Sequence, residues 1–85
     1  MEKGKLKISD LKFLSRYQSV SRYFHNPLFQ TIDGDDVYKG DTVQFSVEGE
    51  RFPSSGTVSN TKGLRVNCFN TLLDKWEYYT IEETD

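Results

Sequence analysis

The 85-residue chain, 9.9 kDa, has room for one domain with a small core. Only 35% of it is hydrophobic, aromatics supply 14% and alanine is absent, so the core must use few, large side chains, a composition that favours short strands. A net charge of −2 excludes a chain acting chiefly as a polycation on nucleic acid, and a single Cys68 with a single His25 excludes an internal disulfide framework and a Cys/His zinc site.

No apolar run approaches the roughly 18 residues of a membrane span, and no signal-peptide segment follows Met1. A soluble, cytoplasmic protein with no membrane partner is expected. Charge divides the single domain unevenly. Residues 1–25 hold six lysines and arginines against two acids, net +4, whereas residues 26–85 hold five against eleven, net −6. Asymmetry of this kind marks either a recognition surface or a basic segment folded onto an acidic body.

In chain order, Lys5 to Ile8 alternates with period 2 and reads as a short strand. Residues 9–26 read as a helix. Ser9 or Asp10 can cap it, Phe13, Tyr17, Val20 and Phe24 follow at helical spacing with Leu14 beside them, and Asn26-Pro27 ends it. Lys12, Arg16 and Arg22 then form a basic helix face. Around Asp33-Gly34 the pattern changes to turns and strands. Val43, Phe45 and Val47 alternate with polar residues; Gly56 to Ser59 starts a second strand; Leu64, Val66 and Cys68 mark a third. In the fourth, Trp76 and Tyr78 alternate against Tyr79 and Ile81, and the pattern does not say which pair faces the core. The expected fold is α+β: a basic, helical N-terminal segment (1–26), its amphipathic helix packed on a four- to five-stranded, acidic SH3-like antiparallel barrel (28–85).

Gly40-Asp41-Thr42-Val43-Gln44-Phe45, then Gly49, then Gly56-Thr57-Val58, resembles the strand pair of KOW-type SH3-like barrels, with Pro53 where such motifs carry a further glycine. Residues 33–43, an acidic glycine turn followed by Val37-Tyr38-Lys39-Gly40-Asp41-Thr42-Val43, are similar to YopX-like proteins of phages and prophages. The first resemblance implies a small barrel and raises nucleic-acid binding. The second implies a β-rich fold in a bacteriophage setting and assigns no functional residue.

No catalytic constellation emerges. Cys68 is in phase with Leu64 and Val66, as a buried structural thiol would be, and His25 stands at a helix end. Asp33, Asp35 and Asp36 surround Gly34, but the twelfth residue from Asp33 is Gln44, so an EF-hand loop fails. Neither enzyme activity, nor cofactor, nor metal is expected. The sequence reads as an interaction module that binds a host protein, such as a nucleic-acid-handling enzyme, with Lys12, Arg16, Arg22, Trp76, Tyr78 and Tyr79 as contacts. The alternative is a KOW-like nucleic-acid binder that uses the same helix face, with Phe52 and Phe69 stacking on bases.

Overall fold

The computed structural model describes residues 2–16 and 26–82, and the architecture is nearly all β. Eight strands follow one another: β1 Glu2–Lys7, β2 Lys12–Ser15, β3 Phe29–Gln30, β4 Asp36–Val37, β5 Thr42–Phe45, β6 Ser54–Ser59, β7 Arg65–Asn70 and β8 Lys75–Glu82. Six of them form one curled sheet in the order β1-β8-β7-β6-β5-β2, while β3 and β4 make a separate hairpin. Every pair is antiparallel except β1 with β8, which is parallel.

The expected N-terminal helix does not form. Among the described residues of that region only a 3-10 turn at Ile8–Asp10 is helical, and Lys12–Ser15 is a strand. Phe13 pairs with Val43 and Lys12 with Gln44, because β5 needs a neighbour on its second edge. Leu11, buried, and Phe13, partly buried, alternate with exposed Lys12, so a period of 2 wins over the helical stripe. Tyr17, Val20, Arg22, Phe24 and His25 of the expected helix lie outside the described residues. The antiparallel four- to five-stranded barrel is corrected with it, to a six-stranded sheet with one parallel pair. Among the described residues, no helix is long and apolar enough to cross a membrane.

Connectivity explains the curl. β1 and β2 occupy opposite edges of the sheet, yet only Ile8–Leu11 joins them. Laid flat, six strands would place those edges roughly 24 Å apart at about 4.8 Å per interval. The five residue steps from Lys7 to Lys12 reach at most about 18 Å fully extended, and the 3-10 turn shortens them further. The sheet must therefore roll up.

Rolling encloses a core of Leu6, Leu11, Val43, Phe45, Val58, Val66, Tyr79 and Ile81, capped by Phe29 and Val37 from the β3–β4 hairpin. Phe45 meets Tyr79 edge to face, ring centroids 5.0 Å apart. The parallel register places Leu6 beside Ile81, which fixes the Tyr79 and Ile81 side of β8 as the inner one.

Two features of the glycine-containing motifs acquire a structural meaning. In Tyr38-Lys39-Gly40-Asp41, Gly40 takes φ +93°, and the Asp41 amide donates to the Tyr38 carbonyl at 3.1 Å, closing a tight turn. Asp41 is 1% exposed, and its carboxylate accepts the Tyr38 amide at 2.9 Å. The Gly40 amide and the Asp41 carbonyl then bond across to Val58, tying the turn to β6. Asp41 is thus part of the frame and not of an acidic surface. At Gly56 the strands come so close that an added Cβ would lie 2.6 Å from the Asn67 carbonyl oxygen.

Candidate interaction surface

The hairpin of β7 and β8 carries the surface features that the core leaves unused. Its turn is built by Asn70. The Asn70 Oδ1 accepts the amides of Leu72 at 3.0 Å and Leu73 at 3.1 Å, and its Nδ2 donates to Glu77 Oε1 at 3.0 Å. Asp74 completes the reversal at φ +52°, a conformation that aspartate tolerates better than most residues. The hydrogen bond from Asn70 holds the Glu77 carboxyl below its ordinary range; burial opposes it, and the Lys3 ammonium at 3.6 Å adds to the lowering. This ordered turn presents Leu72 at 94% exposure, with Leu73 also exposed.

Strand registers map the outer face behind that tip. Phe69 lies opposite Trp76, Asn67 opposite Tyr78, and Arg65 opposite Thr80. On the far sides of the same rows, Thr57 flanks Asn67, Ser59 flanks Arg65, and Lys5 flanks Thr80. Phe69 and Trp76 pack edge to face at 5.3 Å, with Trp76 still 63% exposed. A shallow depression of about 400 Å³ runs between Trp76, Asn67 and Thr57. The Arg65 guanidinium lies 4.0 Å above the Tyr78 ring, and Asn67 is anchored to Ser59 at 2.9 Å. From tip to base the face passes from aliphatic, through aromatic, to cationic.

Of the six contacts expected from sequence, only Trp76 and Tyr78 meet on this face. Tyr79 is turned inward as a core residue, since successive strand residues point to opposite sides. Lys12 is exposed on β2 at the sheet edge. Arg16 lies across Phe13 and Tyr38, 5.0 and 5.5 Å from their ring centroids, and donates to the Asp36 carbonyl at 3.3 Å. It therefore holds the β4 segment against β2. Arg22 lies outside the described residues. The basic helix face is replaced by these separate placements, because residues 12–15 are a strand. Phe52, fully exposed in character at 78%, stands on the β5–β6 loop, and Phe69 belongs to the outer face described above.

Leu72, Leu73 and Arg65 did not stand out in the sequence. The available signal was Asn70 with two leucines starting two residues on, inside a stretch that had to be a turn, where apolar side chains have no core to enter.

A second concave feature lies at one mouth of the rolled sheet. Lys3, Glu50, Ser55, Cys68, Glu77 and Tyr79 line a cleft of about 230 Å³. Burial pushes the Cys68 thiol up from its ordinary value, as it does the Tyr79 hydroxyl. The thiol donates to the Ser55 carbonyl at 3.5 Å, so near neutral pH it is protonated and a poor nucleophile. Among the described residues, no three acids, histidines or cysteines are grouped to hold a metal ion. The acidic turn is ordered from within: Thr31 Oγ1 accepts the Asp35 amide at 3.1 Å, and Gln30 Nε2 donates to Asp36 Oδ1 at 3.2 Å. Comparison of the chain with protein-family models, curated proteins and solved structures finds no match.

Proposed function

We propose that the protein is a non-enzymatic interaction module that docks another protein on the outer face of its β7–β8 hairpin. The observation that carries this reading is the pair Leu72 and Leu73, held out to solvent by an Asn70-capped turn beside Phe69 and Trp76. Exposed apolar side chains in an ordered turn cost solubility without adding to the core, and contiguous apolar surface of this kind marks contact sites. A tryptophan at the centre of such a face is the residue type most enriched among energetically dominant contacts. Leucines have no stacking use on bases, so the tip favours a protein partner over a nucleic acid. The YopX-like order of residues 33–43 supports a phage or prophage setting, in which the partner is a host protein.

The test is capture of partners from host lysate by tagged protein, run with and without nuclease. The parent chain is compared with Leu72→Ser and Trp76→Ala. A discrete protein retained by the parent and lost from both variants supports the reading. Equal recovery by all three chains removes the hairpin from the interface, and recovery that nuclease abolishes transfers the face to nucleic acid.

A further inference from the structure

We infer that the docked partner segment carries apolar side chains at one end and carboxylates roughly 7–13 Å away. This rests on the docking reading above and adds the chemistry of the occupant. The apolar end is set by Leu72, Leu73, Phe69 and Trp76. The other end is set by the row in which Lys5 and Arg65 flank Thr80 from opposite sides. On β8, Tyr78, under the Arg65 guanidinium, and Thr80, beside Lys5, are two and four residues from Trp76, or roughly 7 and 13 Å at about 3.3 Å per residue.

The cationic row is built for a carboxylate. Among the described residues the one ion pair is Lys3 with Glu77, so neither Lys5 nor Arg65 has an acidic partner. The Tyr78 ring, 4.0 Å from the Arg65 guanidinium carbon, holds that group on the outer face, and a guanidinium can make a forked, two-bond contact with a carboxylate. Glu2 stands on the same face, and its carboxylate accepts the Thr80 hydroxyl at 2.6 Å. Lys5 and Arg65 against Glu2 leave the row at +1. Lys7 lies opposite Glu82, so the next row contributes no net charge. Within a chain of net charge −2, this local excess of cation beside an apolar tip selects an acidic, amphipathic segment.

A displayed library of random twelve-residue peptides, selected on the full chain, tests this. Binders that need Trp76 are expected to place Leu, Ile, Phe or Trp at one end. Asp or Glu should follow about two to four positions away if extended, or about five to nine if helical. For a resynthesised binder, Arg65→Glu should raise Kd about tenfold or more, and Arg65→Gln by less. Raising salt from about 0.05 to 0.5 M should weaken the parent complex in the same direction. Thermal midpoints matching the parent confirm that both variants fold. Trp76-dependent binders without acidic enrichment, or indifferent to Arg65→Glu, overturn the inference while leaving the docking reading intact. A selection with no Trp76-dependent binder overturns both. A parent dimer dissociated by Trp76→Ala, or displacement of the peptide by a fifteen-residue oligothymidylate at equal concentration, assigns the face to another occupant and refutes the inference.

Discussion

Replacing Gly56 with alanine separates a glycine required by close approach from one that is merely present. A Cβ at Gly56 would stand 2.6 Å from the Asn67 carbonyl oxygen, 2.7 Å from Val66 Cγ1 and 2.8 Å from Cys68 Sγ. Ordinary contacts of a Cβ begin near 3.4 Å, so the oxygen alone must retreat by about 0.8 Å. The side-chain atoms can rotate away; the oxygen belongs to the backbone of β7, which is fixed by its pairing with β8. Overpacking of this kind costs about 1–3 kcal/mol. In a domain of this size, that lowers the thermal midpoint by roughly 4–24 °C. Gly4→Ala is the matched control. Its backbone lies outside the left-handed region, and the nearest atoms to a Cβ are those of the Tyr79 ring at 3.8 and 3.9 Å, ordinary contact. It should leave stability unchanged or raise it by up to about 1 kcal/mol. Thermal unfolding followed by circular dichroism reads both. A Gly56→Ala midpoint within about 2 °C of the parent would refute the claim that β6 and β7 need a glycine to pack.

Asp41→Ala should destabilise the chain by about 1–3 kcal/mol in urea unfolding, because the Tyr38 amide loses its buried acceptor. Asn70→Ala should bring the Glu77 pKa up toward its ordinary 4.5, as read by carboxyl NMR titration, and should speed hydrogen exchange at Leu72 and Leu73. Since the folded Glu77 value is depressed, its contribution to stability is complete above that ordinary value and is lost as pH falls through the folded one; the variant should flatten this dependence. Cys68 should react with a thiol reagent more slowly than a free cysteine at pH 7, and the rate should climb only as pH passes its ordinary value of 9.0. Leu72→Ser should move stability by no more than about 0.5 kcal/mol, since the side chain touches solvent, so its effect on binding can be read directly.

Strands whose inner and outer residues alternate cleanly were legible from sequence. Thr42–Phe45 is one, with Val43 and Phe45 buried; Val66 in β7 is another. The Gly40-Asp41 turn was visible as a motif, though not as a buried carboxylate closing on the Tyr38 amide. What misled lay between residues 9 and 26, where Phe13 and Leu14 satisfy a helical stripe as readily as Leu11 and Phe13 satisfy a strand. Local propensity is a weak preference there, and the unpaired edge of β5 decides. The inner face of β8 was equally undecidable from Trp76, Tyr78, Tyr79 and Ile81 alone. Its parallel neighbour β1, far away in sequence, supplies Leu6 and so determines which side is buried. The interaction face was half legible for the same reason: Trp76 and Tyr78 were visible as aromatics, but Arg65 and the leucine tip gain meaning only from cross-strand register and from Asn70.

Pairing Glu2 with Tyr78 and Leu6 with Ile81 has a consequence for synthesis on the ribosome. β1 is completed by β8, so it waits for some seventy residues to be added, roughly 4–15 s at common elongation rates. Through that interval Leu6 has no inner neighbour on β8, and the seam of the roll stays open. Closing it joins distant parts of the chain in a parallel register, the slowest kind of contact to find. The nascent protein is therefore exposed to chaperones and to its own copies until β8 emerges, however early β5, β6 and β7 have paired.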